Sequence, residues 1–472
     1  MNRIAKTIVA VALFVTFGGI QAQEVSPVDF LRTNPYQMKS NPAAELPYKS
    51  VMSLLVGNVG LDFQNPSLKY NNLFDFDAQG RPVTVNLDKF ANSLNEDNAL
   101  RFSMNENLFT LFHRLEVGML TFGYDVRVQG DMHFNDGLFS LLANGNAAFV
   151  GENNPANVSL GFNTTAFQQF AVGYQMNFRK RFSVGARAKL LLGFANVSTE
   201  AFEVKMVTNP TTYALRIYEN IAMNASLPSF FSMKDGKLVT SGNLAFSDLF
   251  SNPGFAVDLG AEFHVTDQIG VVASVQDLGF ISWKANNFQM IGNINDAGSM
   301  YDEGSFLFEG IAIDQLQRIV SDEYYRELFL DTLKQYFQLD ITPAERYSTM
   351  LNTNVLLRGY YDLDPENRVS LQAQGCFMKG GFNPAFTVAY SGTFFEMLDV
   401  CATYTLMKDS YTNFGIGLGG NFNTFHIYLA SNNILGAFTP LNSKSFNVQA
   451  GIVFNMREKD YTRGSRVPGY LR

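Results

Sequence analysis

The chain has 472 residues and a formal net charge of −8, with 44 phenylalanines, 20 tyrosines and one tryptophan. An acidic chain that lacks a basic patch interleaved with aromatic residues is a poor candidate for nucleic-acid binding. Beyond its N-terminal leader no run of about 18 apolar residues occurs, which argues against a helical membrane protein. The mean hydropathy is close to zero, as expected when apolar and polar residues alternate along strands.

The first 22 residues have the features of a secretory signal peptide. Arg3 and Lys6 precede an uncharged run from Thr7 to Phe17, and a short stretch then leads to Ala22. The apolar run is roughly half of the 20 residues that a membrane-spanning helix needs. We therefore expect export and cleavage near Ala22, with an uncleaved membrane anchor as the alternative.

Apolar and polar residues alternate with a period of two in segment after segment of the chain. Between Phe170 and Phe178 every second residue is large and apolar, and the same pattern recurs in 182–194 and 446–454. Successive side chains of a strand point to opposite faces, so such a sheet has one apolar and one polar face. Glycine and charge on the polar face favour a membrane barrel with a polar interior; a soluble secreted β-protein is the alternative.

Turn signals divide the chain into about 14 segments, an even number as in bacterial barrels. We predict an all-β fold, a transmembrane antiparallel β-barrel of roughly 12–16 strands with helical segments in its long extracellular loops. Short turns alternate with the long loops 65–99, 129–167, 201–252 and 283–345, the asymmetry expected of periplasmic turns and extracellular loops. The predicted strands span 48–64, 100–111, 115–128, 168–178, 182–200, 253–264, 269–282, 346–361, 367–378, 386–395, 398–408, 411–422, 425–432 and 445–455.

Two of the long loops contain helical patterns. A helix is predicted over 312–338, where apolar residues recur at helical spacing, and a second, short helix is predicted from Asp88 to Leu94. A loop helix either enters the barrel mouth as a lid or caps the surface, and the sequence leaves both possibilities open. The barrel is expected to span 48–456 and to be followed by a polar periplasmic tail, 457–472.

The two cysteines are not expected to form a disulfide. Cys376 and Cys401 are both assigned to the lumen side, on strands that a third strand separates. Two strand spacings amount to about 9.6 Å, which exceeds the usual Cα separation in a disulfide. We predict two buried free thiols.

Three local patterns resemble those of an uncharacterised family of Bacteroidetes outer-membrane barrels that is distantly similar to FadL and PorV. They are Ser40–Ala44, Asn252–Ala261 and Ala273–Trp283. The resemblance implies a 14-stranded barrel in the Gram-negative outer membrane. Asn41, Pro42 and Ala43 match a motif of FadL fatty-acid channels, in which the N-terminal segment enters the lumen as a hatch. By this resemblance, 23–47 is a lumenal, hatch-like segment.

The alternation also assigns side chains to the lumen. In 253–264 the apolar residues must face lipid and the charged ones the interior, because an ionised carboxylate is costly on a lipid-facing surface. Such residues either pair across the interior as a polar core, which we favour, or line an open channel. The lumen-lining candidates are Asp125, Arg127, Arg187, Lys189, Asp258, Glu262, His264, Arg358 and Asp399.

One predicted strand loses its alternation near Asp277 and Gly279. A glycine in a strand that changes register suggests a bulge or bend, but a plain strand end at the interface is the interpretation that we favour. In FadL-type channels a kinked strand opens a lateral gap in the wall, so the resemblance implies that Asp277 and Gly279 are candidates for such a kink.

The sequence contains no arrangement that predicts catalysis. Its four histidines are scattered without the spacing of metal ligands, and no nucleophile elbow or phosphate-binding loop occurs. We expect a protein that is not an enzyme and uses neither metal nor cofactor. The first functional hypothesis is a FadL-like conduit or binding protein for small hydrophobic molecules. The alternative is a PorV-like adaptor barrel whose extracellular loops bind secreted or surface proteins. Under either, the expected partners include outer-membrane lipid and the barrel-assembly machinery.

Overall fold

The structure is a computed structural model. It describes residues 26–457 except for 66–69, 179–180, 212–214, 235–236, 241–245, 302–321, 323, 326–339, 380, 396, 409, 423 and 439–442. The predicted signal peptide, nearly all of the predicted helix at 312–338 and the tail after Arg457 lie outside the described residues.

The fold is a closed antiparallel β-barrel of 14 strands. Each strand pairs with the next along the barrel, and β1 pairs with β14 to close it. The strands are β1 (Tyr48–Gln64), β2 (Asn98–Arg114), β3 (Met119–Phe134), β4 (Ala156–Phe178), β5 (Phe182–Thr208), β6 (Asn252–His264), β7 (Ile269–Trp283), β8 (Thr353–Asp362), β9 (Asn367–Met378), β10 (Gly381–Phe394), β11 (Leu398–Met407), β12 (Ser410–Phe422), β13 (Phe425–Ser431) and β14 (Ser445–Arg457). The prediction of a transmembrane barrel of about 14 strands is confirmed.

Further strands extend the sheet beyond the barrel at the end that carries the long loops, here called the long-loop end. They are Leu215–Ser226, Asn287–Tyr301, Asp340–Pro343 and Tyr347–Met350. The short hairpins Phe74–Phe76 with Pro82–Val85 and Phe231–Lys234 with Lys237–Thr240 are separate from the barrel. Much of what was predicted as loop in 201–252 and 283–301 is therefore strand, because neighbouring segments pair with one another above the barrel.

The helices within the described residues are short. The α-helices are Gln37–Ser40, Tyr70–Leu73, Leu87–Ala91, Gly137–Asn144 and Ile434–Phe438, and the 3₁₀-helices are Pro27–Phe30, Asn146–Ala148 and Phe246–Phe250. The helix predicted from Asp88 to Leu94 corresponds to Leu87–Ala91. Asn86 caps its N-terminus, because the Asn86 side chain accepts a hydrogen bond from Lys89 N. No helix in the described part of the chain is long and apolar enough to cross a membrane.

The two faces of the wall differ as the alternation predicts. On β6, Phe255 and Leu259 are 52% and 51% exposed on the outside, whereas Asp258 between them is 0% exposed. Outward apolar side chains suit contact with lipid, and inward polar side chains suit an interior that holds charge and water.

The N-terminal segment, defined here as residues 26–47, occupies the interior of the barrel. Its residues contact strands on every side: Thr33 N donates to Asp399 on β11, and Lys39 Nζ to Asp125 on β3. Ser274 on β7 donates to the carbonyl of Ser40. Its apolar side chains Val28, Leu31, Met38 and Leu46 are at most 1% exposed and pack against the inner wall. The segment and the apolar side chains of the inner wall therefore form a core inside the barrel.

Candidate functional site

Asn41, Pro42 and Ala43 lie against β5 and β6, near the end of the barrel that carries the short turns, here called the short-turn end. Asn41 Nδ2 donates to Glu262 Oε2 at 2.9 Å, and Asn41 Oδ1 accepts from Ala43 N at 3.0 Å. The first bond ties the segment to the wall, and the second fixes a local turn of the kind that asparagine favours.

Two glycines make room for this turn. Gly185 and Gly260 are directly paired across β5 and β6. A Cβ on Gly185 would lie 1.9 Å from the carbonyl oxygen of Pro42, and one on Gly260 would lie 2.8 Å from Pro42 Cδ. A side chain at either position would collide with the backbone of the segment. The sequence analysis missed these glycines, because a glycine on a lumenal face is not distinctive by itself.

Five charged side chains form an ionic cluster in the middle of the lumen. Asp258 Oδ2 lies 3.0 Å from Arg187 Nε, and Asp258 Oδ1 lies 2.6 Å from Lys189 Nζ. Lys189 Nζ also lies 2.6 Å from Asp277 Oδ1, and Arg127 Nη1 lies 2.8 Å from Asp277 Oδ2. The structure thus joins Arg127, Arg187, Lys189 and Asp258, which were predicted to line the lumen, to Asp277, which was predicted to mark a kink.

The ionic cluster is also bonded to the N-terminal segment. Arg187 Nη2 donates to the backbone carbonyl of Lys39 at 2.5 Å, and Lys39 Nζ pairs with Asp125. Asn107 Nδ2 donates to Asp125 Oδ1 at 2.9 Å. A continuous set of polar contacts therefore runs from the segment through the ionic cluster to β7.

The remaining lumen-lining candidates lie apart from this cluster. Glu262 Oε1 accepts from Tyr360 Oη at 2.8 Å, and His264 Nδ1 lies 3.2 Å from the same hydroxyl. Arg358 Nη1 donates to the carbonyl of Asp29 at 3.0 Å. Asp399 accepts hydrogen bonds from Thr33 N and Thr33 Oγ1. Glu262, Arg358 and Asp399 therefore bind the N-terminal segment, and His264 contacts β8, the next strand but one.

At the short-turn end the segment is held by a further ion pair that the sequence did not suggest. Glu45 Oε1 lies 2.9 Å from Arg114 Nη1, and Glu45 Oε2 accepts from Asn177 Nδ2 at 3.1 Å. Burial raises the pKa of the Glu45 carboxyl, and the positive charge of Arg114 acts in the opposite direction.

β7 has a bulge at Asp277. Gln276 and Asp277 together lie opposite the single residue Asp258 of β6, and Asp277 has φ of 59°. Its backbone N–H donates to Asp258 Oδ1 at 2.8 Å. A Cβ on Gly279 would lie 2.2 Å from the carbonyl of Phe255, so only glycine fits there. β7 continues to Trp283, so this site is not the plain strand end considered in the sequence analysis.

The bulge also interrupts the pairing between β7 and its other neighbour. β7 pairs with β8 up to Gln276, and pairing resumes only at Phe280, with the strand Tyr347–Met350. In between, Leu351 N donates to Gly279 O at 2.9 Å and Thr353 Oγ1 to Asp277 O at 3.2 Å. The wall is therefore held here by isolated hydrogen bonds instead of a regular ladder.

Beside the bulge, towards the long-loop end, lies a cluster of apolar side chains inside the lumen, here called the apolar compartment. Trp283 is its largest member and is 0% exposed; its Nε1 donates to Thr349 Oγ1 at 2.8 Å. Arg127 of the ionic cluster lies 5.3 Å from the ring centroid of Phe167. The compartment consists of Phe167, Leu191, Ala256, Ile281, Trp283 and Leu351, with Tyr347 packed against them.

The apolar compartment was not predicted from the sequence, because lumenal positions were assigned by charge and apolar residues were assigned to the lipid-facing surface. The bulge at Asp277 also changes which residues of β7 point inward, so a constant alternation misplaces Ile281 and Trp283. The presence of one tryptophan in the whole chain was the available signal.

A polar cavity of about 130 Å³ lies between the N-terminal segment and the wall. Lys39, Asp125, Arg127, Asp277 and Gln449 are among the side chains that line it. A polar space of this size holds several water molecules.

The cysteines are two free thiols, both buried. Cys376 lies on β9 and Cys401 on β11, and both strands pair with β10, which separates the two cysteines as predicted. Cys401 Sγ lies 3.1 Å from the carbonyl of Pro27 in the N-terminal segment. The described residues contain no group of three or more side chains suited to hold a metal ion.

Comparison with known proteins gives a family and several fold neighbours. Residues 42–432 match the model of a family of unknown function, DUF5723, and no curated protein matches the chain. Among solved structures, the chain is similar to the toluene transporter TbuX of Ralstonia pickettii, with 9% identity, 93% of this chain and 98% of that chain covered, and a TM-score of 0.41.

Two further similar structures come from Pseudomonas. A FadL homologue of Pseudomonas aeruginosa has 12% identity, covers 89% of this chain and 93% of its own, and has a TM-score of 0.38. The toluene transporter TodX of Pseudomonas putida has 8% identity, covers 92% and 97%, and has a TM-score of 0.37. The match to the family model spans most of the sequence, and the chain belongs to the family of unknown function DUF5723.

Proposed function

We propose that this barrel is a conduit or binding protein for small hydrophobic molecules in the outer membrane of a Gram-negative bacterium, which it reaches after cleavage of its signal peptide near Ala22. The observation that carries the proposal is the apolar compartment. Ligand sites for apolar molecules are concave, mostly apolar and few per protein. Here a cluster of buried apolar side chains lies on the lumenal side of β4 to β7, beside the charged side chains of the ionic cluster.

The surroundings of the compartment suggest the route of a ligand. Towards the short-turn end the ionic cluster and the N-terminal segment close the lumen, and displacing a buried ion pair with an apolar molecule is costly. The interrupted pairing beside Asp277 and Gly279 is a weak point through which a ligand could pass sideways through the wall. We propose that a hydrophobic molecule enters from the long-loop end, occupies the compartment and leaves between β7 and β8.

In this proposal Asn41, Pro42 and Ala43 act as part of a hatch. Their contacts with Glu262 and with the glycines of β5 and β6 hold the N-terminal segment in the lumen. Asn41→Ala removes the hydrogen bond to Glu262 without changing a strand. We expect reduced uptake of a hydrophobic substrate with normal barrel assembly, and unchanged uptake would count against a hatch.

Fluorescence of Trp283 tests the compartment directly, because it is the only tryptophan in the chain. Bromobenzene, an apolar heavy-atom quencher, should quench it in a saturable way, whereas iodide, a polar quencher, should not. Ala256→Phe adds a bulky side chain to the compartment and should abolish saturable quenching while the barrel still folds. Equal quenching in both proteins would mean that bromobenzene reaches Trp283 from the surrounding detergent, and the proposal would fail.

No feature of the described residues favours the adaptor hypothesis. It depends on loop surfaces, and the predicted helix at 312–338 lies almost wholly outside the described residues. Native mass spectrometry of gently extracted protein distinguishes the two functions: a bound lipid-like small molecule favours the conduit, and a stoichiometric protein partner on an empty barrel favours the adaptor.

A further inference from the structure

The seam at which β1 and β14 close the barrel is irregular in its middle. The two strands pair at Ser50–Met52 and again from Val59 to Gln64, but residues 53–58 of β1 lie opposite only 451–453 of β14. On the other side of β1, residues 55–57 lie opposite the single residue Leu108 of β2. By contrast, β9 and β10 pair along their length without a register shift. The backbone ladder that joins the two ends of the sheet is therefore missing in the middle of the wall.

Side chains of the wall partly replace this ladder. Tyr428 Oη donates to Asn58 Oδ1 at 2.6 Å and lies 3.1 Å from the carbonyl of Gly57. Gln449 Nε2 donates to the same oxygen of Asn58 at 2.8 Å. On the outer face the bulge exposes Leu54, Leu55 and Val56. Leu55 has a φ of 64°, a backbone conformation that is costly for a residue with a bulky side chain. A bulge of this kind persists only where surrounding contacts hold it.

The N-terminal segment contacts the bulge of β1 from both sides: Tyr36 is bonded to β1 and β2, and Ser26 is bonded to β14. Tyr36 Oη donates to Asn107 Oδ1 at 2.6 Å and lies 3.1 Å from Ser53 Oγ. Ser26 Oγ is hydrogen-bonded to Gln449, the residue that also binds Asn58. Tyr36 is 2% exposed and Ser26 is 4% exposed, so water does not readily substitute for either hydroxyl.

We infer that the N-terminal segment fastens the closure seam, so that its docking is a step in completing the barrel. In lipid, polar backbone groups must be satisfied within the protein, and a sheet achieves this only by closing on itself. The first and last strands of this barrel close with an incomplete ladder, and the segment binds Gln449, which bridges the gap, and Ser53, which lies in the bulge of β1. This assembly role requires no ligand and is independent of the proposed conduit function.

The test combines loss of the segment's two hydroxyls with a covalent seam. All variants are made in a background of Cys376→Ser and Cys401→Ser. The readout is the temperature at which the folded, fast-migrating band is lost on detergent gels. Tyr36→Phe/Ser26→Ala should lower that temperature by several degrees. A disulfide between residues 61 and 448, made by Leu61→Cys/Val448→Cys, should restore that temperature, because these residues are direct partners in the seam.

Two controls distinguish rescue at the seam from a general gain in stability. A disulfide from Leu371→Cys/Val388→Cys joins direct partners on β9 and β10 and should not restore the double-hydroxyl variant. Ser274→Ala removes a hydrogen bond of 2.7 Å between the segment and β7, and the seam disulfide should not compensate for that loss. Equal rescue by both disulfides, or no effect of losing the hydroxyls, would overturn the inference.

A labelling experiment gives the answer if either disulfide fails to form. Val453 lies in the stretch of β14 that has no partner on β1, although it pairs with His426 of β13, and it is 0% exposed. Maleimide should modify Val453→Cys roughly fivefold faster or more when Tyr36 and Ser26 have lost their hydroxyls, as expected for loss of at least one net hydrogen bond. Gln372→Cys, on regularly paired β9, should keep its rate. An unchanged rate at Val453→Cys would also overturn the inference.

Discussion

Asp258→Asn is the sharpest perturbation of the ionic cluster. Asp258 is 0% exposed, and its carboxylate lies 3.0 Å from Arg187 Nε and 2.6 Å from Lys189 Nζ. The substitution keeps the shape of the side chain and removes its charge. Within the cluster, Arg127, Arg187 and Lys189 are then left with the single carboxylate of Asp277.

The size of the effect follows from these contacts. Removing one partner of a buried ion pair destabilises a protein by about 3–5 kcal/mol. Lys189 keeps its contact of 2.6 Å with Asp277, and an asparagine oxygen can still accept the hydrogen bond from Asp277 N. We therefore expect the lower end of the range, about 3 kcal/mol.

Urea unfolding of the refolded barrel in phospholipid vesicles, followed by Trp283 fluorescence, measures this loss. Glu116→Gln, an exposed turn carboxylate, is the matched control and should change stability by no more than about 0.5 kcal/mol. Adding Lys189→Met to Asp258→Asn removes a cation as well, so the double variant should be more stable than the sum of the single effects predicts. If Asp258→Asn unfolds like the control, the reasoning about buried charge is refuted.

Three further predictions concern packing and access. Trp283→Ala should lower the free energy of unfolding by about 3–5 kcal/mol, because it leaves a cavity in the apolar compartment. Urea unfolding followed by circular dichroism measures this loss, and a value below about 1 kcal/mol would show that the compartment is loosely packed. Gly185→Ala should displace the N-terminal segment and speed its proteolysis, whereas Gly359→Ala, where a Cβ meets nothing within 4 Å, should not; equal digestion would contradict the close approach at Pro42. Cys401 should resist maleimide in the native barrel and become reactive in Gly185→Ala, because the segment covers its thiol; reactivity already in the native protein would contradict that packing.

The sequence by itself determined the architecture of the wall. A period of two, glycine and charge on one face, and turn residues at regular intervals were sufficient to locate all 14 barrel strands. They also determined which face of β6 points inward, because a carboxylate such as Asp258 cannot face lipid cheaply. These are local properties, and each is readable within about ten residues of chain.

The tertiary structure alone decided what fills and interrupts that wall. The apolar compartment collects Phe167, Leu191, Ala256 and Trp283 from four different strands, and no local pattern links positions so distant in sequence. The seam bulge at 53–58 depends on how β1 pairs with two neighbours at once. Register and bulges arise from pairing between strands and from what packs inside the barrel, so they become visible only when the sheet is closed.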